Sequence, residues 1–134
     1  MQTDTKIWLE RSLIVLSVCL TLGIVFLSLT RLGQIAPEGF TQIDKFYHFS
    51  AYFVLTFSWL LSLFKGRFNL KKALWTAIGI ILFGIILEVF QKYLTDYRTL
   101  DYADAIANSA GVVVAVLFFS FFFEKIQRLR GKDL

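Results

Sequence analysis

The stretch YRTLDYADAIANSAGVVVAVLFFSFFF, residues 97–123, changes character in its middle. Its first half carries Arg98, Asp101, Asp104 and Asn108, and its second half is almost purely apolar. Crossing a hydrocarbon core of about 30 Å takes roughly 20 mostly apolar helical residues. The segment from about Ala105 to Phe123 meets that length. The polar half therefore stands at a membrane surface, either as a solvated helix start or as one wall of a site.

Three earlier runs have the same length and character. SLIVLSVCLTLGIVFLSL predicts a helix over about 12–30, FYHFSAYFVLTFSWLLSLF one over 46–64, and ALWTAIGIILFGIILEVF one over 73–92. Composition agrees, because 57% of the 134 residues are hydrophobic and the mean hydropathy is +0.65. A soluble domain sits nearer about 45–50% apolar, so the excess must face lipid. A single Pro and eight Gly argue against a low-complexity chain. The expected fold is one all-α domain over 1–134, a polytopic membrane protein with four transmembrane helices. The first run exceeds the roughly 7–15 apolar residues of a signal peptide and no A-x-A site follows it, so it is read as a membrane helix. The lone Cys19 excludes an intrachain disulfide.

The net charge of +4 would raise nucleic acid as a partner in a soluble chain. Here the basic residues lie between and beyond the apolar runs, where they orient a membrane protein, and no nucleic-acid partner is expected. Lys6, Arg11, Lys65, Arg67, Lys71, Lys72, Lys125, Arg128, Arg130 and Lys132 make up ten of the 14 basic residues and fall on one side. Arg31, Lys45, Lys92 and Arg98 fall on the other. The positive-inside bias then predicts both termini in the cytoplasm, with the segments near 31–45 and 91–104 facing outward.

The unusual polar residues gather at the outward ends. On the second helix Asp44, His48 and Tyr52 recur every four residues and form one stripe. On the third, Ala77, Ile81, Gly84, Glu88 and Gln91 share a face whose small residues permit close packing in lipid. On the fourth, Asp101, Asp104, Asn108, Gly111 and Ala115 do the same. Each has a plain structural reading. Asp101 and Asp104 suit a helix start, which favours carboxylates by about 0.3–1 kcal/mol. Asp44 suits an N-cap, Lys45 an interfacial anchor, and Tyr52, Gln91 and Arg98 are ordinary at a membrane surface. Glu88 is harder to dismiss, because it lies roughly 22 Å along its helix, where a carboxylate requires a partner or a wet pocket. His48, the only histidine, shares its stripe with a carboxylate.

Read together, DKFYHFSAY, GIILEVFQ and YRTLDYADAIANSAG resemble the VanZ-like family of bacterial integral membrane proteins. That family's pattern is D-K-x-x-H-F-x-x-Y, then E-x-x-Q, then R-x-x-D-x-x-D-x-x-x-N-x-x-G. The matching residues are Asp44, Lys45, His48, Phe49 and Tyr52; Glu88 and Gln91; and Arg98, Asp101, Asp104, Asn108 and Gly111. The resemblance covers about residues 40–120 and implies the bacterial cytoplasmic membrane and an envelope role. The family's namesake is linked to low-level resistance to the glycopeptide teicoplanin.

Two classes of function follow. One is an envelope protein whose outward pocket binds a polar lipid headgroup or a lipid-linked envelope precursor, with Lys45 and Arg98 suited to hold phosphate. The alternative is an intramembrane enzyme, a hydrolase or group-transfer catalyst acting on a lipid-linked substrate. There His48 or Glu88 would serve as general base, with Asp101 and Asp104 orienting it. No Ser or Cys nucleophile pairs clearly with His48, and neither H-E-x-x-H nor a Gly-rich phosphate loop is present. No cofactor is expected. A mixed site from Asp44, Glu88, Asp101, Asp104 and His48 would suit a divalent ion, but Lys45 and Arg98 can neutralise the acids without metal. Transport is the weakest reading for four short helices unless the protein forms a homo-oligomer, which the sequence leaves open.

Overall fold

The computed structural model describes residues 2–30, 41–95 and 101–132. It consists of α1 (Gln2–Leu29), α2 (Thr41–Leu63), α3 (Leu70–Leu94) and α4 (Tyr102–Lys132), with no strand among the described residues. All four are long and apolar enough to cross a membrane. The chain is an all-α, multi-pass membrane protein, as its hydropathy requires.

Two helices outrun their apolar segments. α1 has 28 residues and starts ten positions before Ser12, and α4 has 31 and continues nine past Phe123. Hydropathy marks the length that meets lipid, whereas backbone hydrogen bonding continues through TDTKIWLER and EKIQRLRGK because neither contains Pro. At 1.5 Å per residue α4 is about 46 Å long, so its tail extends well past a hydrocarbon core of about 30 Å.

Burial is inverted relative to a soluble bundle. Phe121 is 86% exposed, and Val15, Phe26, Trp75, Leu82 and Leu117 are also exposed, which is the surface lipid covers. The interior is a seam between α2 and α4, the most closely packed pair. Leu55, Leu60 and Phe64 of α2 and its end meet Val112, Ala115 and Phe119 of α4 there. Ring pairs Phe57–Phe119, Phe64–Phe119 and Phe64–Phe123 continue the seam at centroid separations of 5.8, 5.5 and 6.2 Å. In lipid, apolar side chains gain little by meeting one another, so close shape fit holds this seam.

α1 is attached differently, since Ser17 alone of its apolar run is buried and the rest is exposed or half-buried. Ser17, fully buried, bonds Ser62 Oγ at 2.9 Å and Ser58 Oγ at 2.5 Å, and Trp59 Nε1 donates to Thr21 Oγ1 at 3.1 Å. These hydroxyl contacts join α1 to α2, a role for which the first apolar run gave no sign. Ser58 and Ser62, four apart within an apolar helix, were the available signal.

The helix ends are finished by side chains. Asn69 caps α3 by accepting from the Lys72 N–H at 3.3 Å. The last carbonyls of α2 receive cations from other helices: Arg130 donates to Phe64 O at 2.8 Å and to Leu61 O at 3.2 Å, and Lys72 to Leu63 O at 2.8 Å. Positive charge at a helix C-terminus is favourable, and α2 has none of its own in its last turn. Glu10 pairs with Lys65 at 3.0 Å at this same end. The starts of α2 and α4 and the ends of α1 and α3 therefore lie together at the opposite end.

The division of basic residues predicts which end is cytoplasmic. In a Cys19→Ser background, Leu94→Cys should react with an impermeant thiol reagent in intact cells, and Gly66→Cys should not. The reverse pattern would invert the orientation.

Candidate functional site

The cluster is built where α2 and α4 begin side by side. Asp101 precedes the first residue of α4, and its Oδ1 accepts from the Ala103 N–H at 2.8 Å, an N-cap contact. Its other oxygen, Oδ2, accepts from Lys45 Nζ at 2.6 Å. One carboxylate thus starts a helix and binds the neighbouring one. Asp104, in the first turn of α4, is turned inward with its side chain 9% exposed. Lys45 Nζ also donates to Asp104 Oδ1, and Asp44 Oδ2 lies 3.8 Å from the same ammonium. Two of the three Lys45 donors are thereby engaged by aspartates of α4.

His48, one turn further along α2, faces the same carboxylates. Its Nδ1 is 3.0 Å from Asn108 Oδ1, and since a carbonyl oxygen only accepts, Nδ1 donates. Nε2 is then directed at Asp104 Oδ2 and Asp44 Oδ1, 3.6 and 3.8 Å away. Both separations exceed a direct hydrogen bond, yet they leave the three groups close enough for one ligand group or cation to contact more than one of them. Asn108 is 2% exposed, so its hold on the ring is sheltered from solvent.

Charge sets the character of the site. Asp44, Asp101 and Asp104 face one lysine, so three carboxylates against one ammonium make the group net negative whichever form His48 takes. The Lys45 hydrogen bond, followed by that from the Ala103 N–H, holds the Asp101 carboxyl below its usual range. A ligand oxygen or nitrogen that donates hydrogen bonds suits this site better than a bare anion. The Lys45 donors expected to hold phosphate are largely committed to carboxylates.

A divalent cation is chemically compatible. One donor atom each from Asp44, His48 and Asp104 can be chosen so that all lie within 4.8 Å of one another. A histidine whose second nitrogen is held by an amide is the usual outer support for a metal ligand. Lys45, however, already supplies positive charge to Asp104, so a metal would have to compete with an ammonium on the same carboxylate.

Six of the expected residues thus come together: Asp44, Lys45, His48, Asp101, Asp104 and Asn108. Tyr52 and Glu88 lie deeper. Tyr52 is 3% exposed and Glu88 4%, and the Tyr52 ring rests against Gly84, one turn before Glu88 on α3. A Cβ at Gly84 would stand 3.0 Å from Tyr52 Cε1, so the small residue makes room for the ring. Tyr52 is within electrostatic reach of the Glu88 carboxylate. Gln91 turns elsewhere: its Nε2 donates to Ser28 O at 2.9 Å, satisfying one of the last carbonyls of α1. It fastens the end of α1 to α3 at the same end of the bundle. Arg98 lies outside the described residues. No protein-family model, curated protein or solved structure matches the chain.

Proposed function

We propose that this chain is a VanZ-like protein of the bacterial cytoplasmic membrane, and that its outward-facing cluster binds the polar headgroup of a lipid or of a lipid-linked envelope precursor. The observation that carries this reading is the convergence of His48 Nε2 with Asp44 and Asp104 at 3.6–3.8 Å. Three hydrogen-bonding groups there face one another, at the end of a membrane bundle where headgroups lie. Their net negative charge favours groups that donate, such as sugar hydroxyls or an amine, over a phosphate alone. An effect on teicoplanin susceptibility would follow if the bound molecule is the glycopeptide's target or its precursor.

A second reading rests on the same histidine. With Nδ1 committed to Asn108, Nε2 is the ring nitrogen turned toward the aspartates, the atom that would take a proton from a hydroxyl held between them. That would make the protein an intramembrane hydrolase or transferase, with Asn108 and Asp104 orienting the base.

Native mass spectrometry of the purified chain with its copurified lipids separates the two. Retention of one hydroxyl- or amine-bearing headgroup class is expected, and conversion of that lipid by purified protein would establish the enzyme. Asp104→Asn preserves shape, leaves Lys45 its Asp101 bond, and should lower retention about tenfold at normal abundance, as loss of a charged hydrogen bond implies. Glu88→Gln should also weaken retention, and Asp4→Asn, on exposed α1, should do nothing. Full retention and an unchanged envelope phenotype in both site variants would make these residues structural.

A further inference from the structure

The end of the bundle remote from Lys45 carries a second polar site. An open cleft of about 460 Å³ lies between the α2–α3 link and the last turns of α4. Its floor is aromatic: Phe68 meets Phe64, Phe119 and Phe123 at centroid distances of 5.5, 6.4 and 5.6 Å. Arg67, Arg128 and Gln127 also line it.

Three of the neighbouring cations are already committed. Lys65 pairs with Glu10, while Lys72 and Arg130 hold the last carbonyls of α2. Among the described residues Arg128 has only Glu124, 4.0 Å away, with both side chains more than three-quarters exposed, and such a pair contributes little. Gln127 Nε2 is buried with no hydrogen-bond acceptor among the described residues. The cleft thus brings an apolar floor together with two arginines, set against one carboxylate among its described lining residues, that of Glu124. Donors in excess over acceptors, beside an aromatic surface at a membrane boundary, match an amphiphile with an anionic head.

We propose that this cleft binds the phosphodiester headgroup of an anionic phospholipid, with phosphate between Arg67 and Arg128 and an acyl chain along Phe68 and Phe123. The bidentate fork of arginine suits phosphate oxygens, and aromatic rings flank the chain where headgroup gives way to hydrocarbon. The ten-to-four charge division assigns this end to the cytoplasmic leaflet, where anionic lipids are enriched. The site is independent of the Lys45 cluster and can fail without affecting it.

The test uses the full chain in neutral detergent, titrated with short-chain phosphatidylglycerol, short-chain phosphatidylcholine or inorganic phosphate, and read by native mass spectrometry. Phosphatidylglycerol should bind about twenty-five-fold more tightly than phosphatidylcholine, given roughly a fivefold gain for each of the two arginines. Arg67→Gln with Arg128→Gln should erase that preference, whereas Lys6→Gln with Arg11→Gln should leave it intact. Glu124→Gln changes an exposed side chain that the fold does not need, and should tighten phosphatidylglycerol about twofold to threefold by relieving repulsion. A preference that survives loss of both arginines, or that Glu124→Gln leaves unchanged, overturns the site. Displacement of the lipid by an equal concentration of inorganic phosphate would show a free-anion site and overturn the lipid assignment.

Discussion

Gly111→Ala should destabilise the bundle by about 1–3 kcal/mol, at the upper end of that range, and Gly111→Leu should prevent accumulation. A Cβ at Gly111 would collide with the Phe49 carbonyl oxygen and stand 3.1 Å from Phe53 N. Both neighbours are backbone of α2, so neither can move without separating the most closely packed pair of helices. The other glycines provide the comparison. A Cβ at Gly79 meets nothing within 4 Å, so Gly79→Ala should be neutral or stabilising by up to about 1 kcal/mol through helix propensity. At Gly84 the obstacle is the Tyr52 side chain, which can give way, so Gly84→Ala should fall between the two. Thermal unfolding of the purified proteins in detergent ranks them. Equal stability of Gly111→Ala and Gly79→Ala would mean that α2 and α4 do not approach this closely.

The second large effect belongs to Lys45. Lys45→Met removes the ammonium from Asp101 and Asp104 together and leaves Asp104, nine-tenths buried, as an uncompensated carboxylate beside Asp44. Breaking a fully buried pair costs about 3–5 kcal/mol, and the partial exposure of Lys45 brings the expected loss to roughly 2–3 kcal/mol. The companion variant distinguishes lost charge pairing from lost packing. Asp104→Asn in the Lys45→Met background should restore most of the stability, because the orphaned charge is gone. No restoration would show that the loss does not come from an orphaned Asp104 charge.

The same clasp has a pH signature. Asp101 is held below its usual range when folded, so its contribution is fully present above an ordinary carboxylate pKa of about 3.9. It is lost as pH falls through the lower folded value. Between pH 7 and 5 the Lys45–Asp101 contact should therefore add no pH dependence, and in Lys45→Met the acid-side loss from Asp101 should shrink. Stability measured from pH 7 down to 3 in both proteins checks this.

The opening question about residues 97–123 has a mixed answer. Asp101 does what a helix-start residue does, capping α4, and with its second oxygen also holds Lys45. Asp104 and Asn108 are turned inward instead, hydrogen-bonded to Lys45 and His48. The faces on which they lie were legible because helical periodicity is local: residues spaced three and four apart share a side whatever surrounds the helix. Asp104, Asn108, Gly111 and Ala115 are all buried, as that spacing implies, and so are Ala77, Gly84, Glu88 and Gln91 on α3.

The number of helices, their apolar lengths and, for α2, α3 and α4, the side turned inward were set by composition and spacing within each segment, where transfer from water to lipid acts residue by residue. Pairing across helices was not, because it depends on how each helix is rotated and how far it slides against its neighbour. The approach of Gly111 to the α2 backbone helps set that register for α2 and α4, and with it which aspartates Lys45 reaches. The rotation of α3 sends Gln91 to the Ser28 carbonyl although it lies on the same face as Glu88. The burial of Ser17 against Ser58 and Ser62 decides that α1 belongs to the bundle, through hydroxyl bonds a hydropathy profile does not register. Contacts between residues 41 to 63 positions apart follow from interhelical geometry, and no periodicity within one helix encodes them.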